Sequence, residues 1–360
     1  MSVAYDTAQP PPRSKKMGST TELSYDYSSV DYTEYHHPCN KTTLINVGSI
    51  AIPVVFSFVV LLSLVGNGLV LAILARYENL RSLTNIFILN LALSDLIFTL
   101  GLPFWSSYYL WGWTLGTEGC KGVSFVFYVG FYSSILFLML MTIQRYVAVV
   151  HPLSDWETGQ RFAAIPILAW VVSIAAAVPV LLFSEKQKAQ EDSTDFHCEF
   201  NPDTGKFDTR HQQNIFFVVA FLIMGFCYIR ILLAVFKRRT RKKHRTVRLI
   251  FCIVAVFFVG WAPYNIVIFL KSIITEPCEV STRLDYAYYV SKMLAFSHCC
   301  LNPVFYVFIG VKFRNHLKGI LQKIFRRRSN MDPRSRITSV QSQGSMYSEN
   351  TENCGRKFPR

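Results

Sequence analysis

The sequence predicts an all-α membrane protein, a bundle of seven transmembrane helices. Three observations carry this. Seven long stretches hold no charge or a single one. Hydrophobic residues make up 51% of the 360 and charged residues only 17%. Lysine and arginine collect in loops that fall on one side of the threading. Soluble domains run near 25% charged, so this chain has too few charges to cover a globule of its size in water. Its apolar mass and 15% aromatic content exclude intrinsic disorder over most of its length.

The first stretch, Thr42 to Ala75, is free of charge. The second, Ser82 to Gly116, has Asp95 alone. Gly122 to Gln144, Phe162 to Ser184, His211 to Ile229 and Leu249 to Leu270 hold none, and Tyr286 to Val311 has Lys292 alone. An apolar helix needs roughly 20 residues to cross the hydrocarbon of a bilayer. Backbone polar groups there must be bonded internally, so each stretch reads as a helix. The runs are continuous rather than alternating, which excludes a β-barrel. Seven of them exceed the core that a soluble chain of this size can enclose.

An odd number of spans puts the two termini on opposite faces. Short loops rich in Lys and Arg mark the cytoplasmic side. The loop after the first run has Arg76 and Arg81, the stretch Lys237 to Arg245 follows the fifth, and Lys312, Arg314, Lys318, Lys323 and Arg326 to Arg328 follow the seventh. All three share a side if the N-terminus is extracellular. The formal net charge of +14 is therefore inner-face charge, suited to anionic membrane lipid, and needs no nucleic acid. Residues 1–20 are polar and lack the apolar core of a cleavable signal peptide. The first span is then expected to act as its own insertion signal.

Four of the nine cysteines, Cys39, Cys120, Cys198 and Cys278, fall on the expected outer side, where disulfides persist. By spacing alone they allow three pairings. Cys227, Cys252, Cys299 and Cys300 lie inside spans and read as small buried side chains, and Cys354 lies in the tail. Asn40-Lys41-Thr42 is a glycosylation sequon on the outer side.

Marks in nearly every span resemble those of the rhodopsin-like G protein-coupled receptors. They are Gly66-Asn67 in the first, Leu91-Ala92-Leu93-Ser94-Asp95 in the second, Cys120 opening the third and Gln144-Arg145-Tyr146 closing it. Trp170 stands in the fourth, Trp261-Ala262-Pro263 in the sixth and Asn302-Pro303-Val304-Phe305-Tyr306 in the seventh. The resemblance covers about residues 45 to 325. It implies an extracellular segment over 1–44, a bundle over 45–310, a short amphipathic eighth helix over 311–326 and a cytoplasmic tail over 327–360. It makes Asp95 with Asn67, Ser134 and Asn302 a switching site near which a sodium ion would sit, with no other cofactor and no further metal. An Asp near mid-membrane costs about 2.5–3.5 kcal/mol on insertion scales, so it reads as functional. Pro263 kinks the sixth span beside Trp261 and gives it a point about which to move.

Within that family the text is similar to chemokine receptors. Trp111-Gly112-Trp113-Thr114-Leu115-Gly116 precedes Cys120, Leu102-Pro103-Phe104-Trp105 stands in the second span and Ala295-Phe296-Ser297-His298-Cys299-Cys300 in the seventh. This resemblance implies the pairings Cys120–Cys198 and Cys39–Cys278. Tyrosines beside acids, at Tyr25-Asp26-Tyr27, Asp31-Tyr32 and Glu34-Tyr35, suit sulfation and would attract a basic secreted chemokine. The ligand's flexible end would enter a cavity lined by Trp105, Tyr108, Phe127, Tyr264 and Lys292. The XC type is favoured by the texts Leu83 to Asn90, His244 to Phe251 and the seventh span through Arg314. Many relatives have Glu where Lys292 stands, and a cation should reject a ligand amine and favour a carboxylate or carbonyl.

The implied function is a plasma-membrane receptor whose Arg145, Tyr146, Tyr228 and Tyr306 engage a heterotrimeric G protein of the inhibitory class. Calcium signalling and chemotaxis would follow. Ser329, Ser335, Thr338, Ser339, Ser342, Ser345, Ser348 and Thr351 would serve receptor kinases and arrestin. Departures from the family pattern are Gln144 for Asp, Gly260 for Cys and Ala220 for Pro. Gln cannot form a charged pair with Arg145, so raised basal activity or altered coupling is expected. A scavenging receptor that binds chemokine without activating G protein is the rival reading. An opsin is excluded because Phe296 stands at the retinal-lysine position. An amine receptor would need Asp at Phe127. A transporter would show repeats and more intramembrane charge. No enzyme constellation is visible, and His36-His37 reads as exposed linker.

Overall fold

The computed structural model describes residues 42–80, 82–151, 164–188, 196–200, 209–238, 244–274, 278–309, 313–320 and 322–323. Its helices are α1 (Thr42–Tyr77), α2 (Leu83–Trp111), α3 (Gly116–Val150), α4 (Ala164–Phe183), α5 (Thr209–Arg238), α6 (His244–Ile273), α7 (Cys278–Phe296) and α8 (His298–Ile309). Between α4 and α5 lie β1 (Ser184–Lys188) and β2 (Phe196–Phe200), an antiparallel pair with Lys186 opposite Cys198. Six helices, α1 to α6, are long and apolar enough to cross a membrane. The seventh span is the pair α7 and α8, and the whole is a seven-helix bundle. A further helical stretch covers residues 313–320.

The apolar run beginning at Tyr286 predicted one continuous seventh span. The structure starts that helix earlier, at Cys278, and interrupts it at Ser297. The Ser297 amide still bonds Met293 O (3.2 Å), but the Cys300 amide bonds Ser297 O (3.2 Å), a tighter turn. Pro303 has no N–H, so the helix cannot supply the usual partner for the Cys299 carbonyl four residues earlier. Helix α1 supplies it instead: Asn67 Nδ2 donates to Cys299 O at 2.8 Å, with Ser63 Oγ 3.4 Å from the same oxygen. Gly66 is what allows this approach. A Cβ there would lie 2.9 Å from two Pro303 ring carbons.

Helix α3 is the axis, packed on α2, α4, α5 and α6, while α8 closes the ring against α1. A thread of polar side chains runs through an otherwise apolar interior, and the outside is apolar too. Ser63, Asn67, Ser94, Asp95, Thr99, Ser134 and Asn302 are buried, whereas Phe58, Leu61, Leu168, Val171, Phe221 and Leu222 are exposed. An apolar face of that extent is untenable in water and ordinary in lipid. At one end of the bundle, Gly112 (φ 70°) lets the chain leave α2, and the Trp113 amide donates to Phe196 O at 2.8 Å. The Cys120–Cys198 disulfide, with Cα atoms 5.5 Å apart, pins the β1–β2 hairpin over that end. Cys39 lies outside the described residues, and so does its implied bond to Cys278.

Candidate functional site

The hairpin end holds a cluster of rings around one cation. Lys292, on α7, is fully buried, and its Nζ donates to Tyr109 Oη at 2.6 Å. The same nitrogen lies 4.8 Å from the Tyr109 ring centre, 5.5 Å from Tyr288, 5.6 Å from Phe296 and 5.9 Å from Trp105. These are attractive cation–π distances. Among the described residues Lys292 has no carboxylate partner within salt-bridge reach. Trp105 packs on Tyr108 (6.0 Å) and Phe127 (6.1 Å), and Tyr264 stacks on Tyr288 at 5.7 Å. The five residues expected to line the cavity thus meet in one cluster. Tyr108 Oη also bonds His197 Nδ1 of the hairpin at 2.8 Å. Nearby, Lys271 of α6 and Asp285 of α7 form an ion pair.

Below it lies Trp261, buried against Phe131 (4.5 Å), Tyr264 (5.6 Å), Phe296 (5.9 Å) and His298 (5.4 Å). Pro263 sits inside α6 just beyond it. One helical turn deeper is Asp95, fully buried. Asn302 Nδ2 donates to its Oδ2 at 2.7 Å, and Ser134 Oγ donates to its Oδ1 at 3.2 Å. Thr99 Oγ1 donates to the Asp95 carbonyl at 2.6 Å and bonds Ser63 Oγ at 2.7 Å. The Asp95 carboxylate thereby joins α2, α3 and α8. Asn67 joins the same network through Ser63 Oγ and the Cys299 carbonyl. Its Oδ1 is buried with no hydrogen-bond partner among the described residues.

The opposite end carries Arg145. Its Nη2 donates to Thr84 Oγ1 at 2.7 Å, and Thr84 Oγ1 donates to Gln144 Oε1 at 3.3 Å. Tyr146 is half-buried, its ring 6.1 Å from Phe226 of α5. Tyr228 is buried beside Phe251 of α6, with ring centres 5.3 Å apart. Tyr306 falls within α8, outside the residues whose side chains are described. His316, in the 313–320 stretch, meets Glu78 at 3.3 Å and stacks on Tyr77.

The tyrosines and acids at Tyr25, Tyr27, Asp31, Tyr32 and Tyr35, with the sequon Asn40, lie outside the described residues. Sequence reasoning missed Tyr109, Tyr288 and His298 around the buried charges, and Thr84 beside Arg145. Adjacent tyrosine pairs, Tyr108-Tyr109 and Tyr288-Tyr289, were the available signal. Which tyrosine of a pair faces inward depends on helix rotation, which the text alone does not fix.

Residues 66–306 match the family model described as 7 transmembrane receptor (rhodopsin family). Chemokine XC receptor 1 of Homo sapiens is 42% identical over 313 residues, which covers 85% of this chain and 90% of that protein. Chemokine XC receptor 1 of Mus musculus is 43% identical over 304 residues, or 83% and 92%. C-C chemokine receptor type 8 of Homo sapiens is 36% identical over 318 residues, or 84% and 89%.

Proposed function

Because the chain belongs to the rhodopsin family of seven-transmembrane receptors, and within it to the chemokine receptors, we propose that it is an XC-type receptor that binds a basic secreted chemokine and activates an inhibitory G protein. The hairpin end and the tyrosine-rich N-terminal segment face the extracellular fluid in this reading, and the Arg145 end faces the cytosol. The chemokine core docks on the acidic N-terminal segment, and its flexible end enters among Trp105, Tyr108, Phe127, Tyr264 and Lys292. Binding favours a state with α6 swung outward about Pro263. A ligand shifts that balance only by its differential affinity for the two states. The opened end, with Arg145, Tyr146, Tyr228 and Tyr306, accepts the G protein. Receptor kinases and arrestin act on the C-terminal serines and threonines.

One observation carries the ligand assignment. Lys292 is fully buried among four rings, one of them the Tyr109 phenol that accepts its hydrogen bond, without a carboxylate partner among the described residues. A buried charge without an opposite charge is costly, and an incoming carboxylate or carbonyl relieves that cost. A ligand amine meets repulsion. Asp95, Ser134 and Asn302 would hold a sodium ion once the Asn302 amide turns its oxygen in place of Nδ2 toward the site, with the unpartnered Asn67 Oδ1 close to the network and His298 Nε2 3.8 Å from the carboxylate. When bound, the ion would offset the buried carboxylate charge.

The test is a panel of C, CC and CXC chemokines, scored for binding and for G protein activation on the parent and on Lys292→Glu. The parent should respond to one class, and Lys292→Glu should bind that chemokine but lose most of its activation. Silence of the parent to the whole panel would sink the reading. Chemokine uptake without G protein activation would establish a scavenging receptor instead.

A further inference from the structure

Arg145 is bonded to a residue that the family pattern does not single out. Gln144 brings no negative charge, yet Arg145 is held. Its guanidinium donates to Thr84 Oγ1 at 2.7 Å, and the same hydroxyl donates onward to Gln144 Oε1 at 3.3 Å. A hydroxyl can do both at once, because it carries one proton and two lone pairs. Donating to the neutral Gln144 orients the Thr84 lone pairs toward the cation. Gln144 is 5% exposed and Thr84 is half-buried, so water competes weakly for this pair.

We propose that Thr84 is the positioning residue of the receptor's resting state: it ties Arg145 to α2 through a neutral relay to Gln144, in the place where an acid would form a charged pair. The hold is weaker than an ion pair for two reasons. A hydrogen bond with one charged partner falls short of a bond in which both are charged. Thr84 also lies in the first turn of α2, whose N-terminal dipole end is positive and opposes a guanidinium there. No side-chain cap bond at Ser82 offsets that end. Release frees Arg145 to move toward α5, where Tyr228 is buried. Tyr228 packs on Phe251 of α6, so the relay bears on the helix expected to swing. This deepens the G protein reading, and one of its two readouts is independent of G protein.

The experiment compares the full-length parent with Thr84→Val, Thr84→Ser and Gln144→Asp at matched surface density. The first readout is ligand-free nucleotide exchange on the inhibitory G protein. The second is the alkylation rate of Cys252 in purified receptor in detergent, followed by peptide mass spectrometry. Cys252 is a half-exposed free thiol on α6, next in the chain to the Phe251 that packs on Tyr228. Valine keeps the shape of threonine and removes the hydroxyl. It should raise both readouts several-fold, serine should restore parental values, and Gln144→Asp should lower both. A rise in Cys252 alkylation without nucleotide exchange would uphold the relay and count against G protein coupling. Parental values of Thr84→Val in both readouts, with chemokine activation intact, would overturn the relay. Should Thr84→Val fail to reach the surface, Gln144→Ala removes the other end of the relay, and the same outcomes decide.

Discussion

At the scale of single residues, two buried ionisable groups divide the molecule's work. Lys292 is fully buried among rings, donates to the Tyr109 phenol and has no carboxylate partner among the described residues. Asp95 is enclosed by donors from α3 and α8, an environment that couples helices to one another. A cation at Asp95 should stabilise the arrangement in which Ser134 and Asn302 converge on it. Agonist affinity is therefore expected to be lower in sodium than in a bulky organic cation, by roughly 5-fold or more. Asp95→Asn should abolish the difference. Equal affinities of the parent in the two salts would remove sodium from the site.

At the scale of elements, close approach decides which helices couple. Gly130 of α3 faces the backbone of Phe98 on α2, and an added Cβ would overlap Phe98 N and Cα. Backbone cannot rotate away. Gly130→Ala should therefore push α2 from α3 and destabilise the receptor by about 1–3 kcal/mol, the usual range for overpacking. Gly101 faces the Phe127 ring, where an added Cβ would lie 3.0 Å from Cδ2. A ring can turn, so Gly101→Ala should cost less. Thermal unfolding of the two variants in detergent checks the order, and equal losses would refute it. The break at Ser297 has the same character. Pro303 releases the Cys299 carbonyl, and α1 captures it, so a local defect in the seventh span becomes a tertiary bond.

At the scale of the whole molecule, apolar side chains cover the outside as well as filling the core, which a soluble protein could not sustain. Exposed Phe58, Leu61, Leu168 and Phe221 face outward while Asp95, Asn67 and Asn302 are enclosed. That distribution supports membrane residence but is silent on direction. Direction follows from the sequence positions of Lys and Arg, which concentrate in the stretch Lys237 to Arg245 and after the seventh span. An epitope at the N-terminus should be accessible to antibody on intact cells, and one at the C-terminus only after permeabilisation. The reverse pattern, or both epitopes on one face, would defeat the proposed orientation.

The sequence alone determined the family, the seven-span fold and two of the buried charges, Asp95 and Lys292, while the burial of Asp285 came only with the structure. Hydrophobic length, charge exclusion and ordered motifs are properties of the chain read in one dimension, and the bilayer enforces them residue by residue. It also named Trp105, Tyr108, Phe127, Tyr264 and Lys292 as one cluster, which the structure brings together. The tertiary structure decided the partners: Tyr109 for Lys292, Cys299 O for Asn67 and Thr84 for Arg145. Those pairs join helices 183, 232 and 61 residues apart in the chain. Their contact depends on how each helix is rotated and where it is kinked, and helix packing against neighbours sets both.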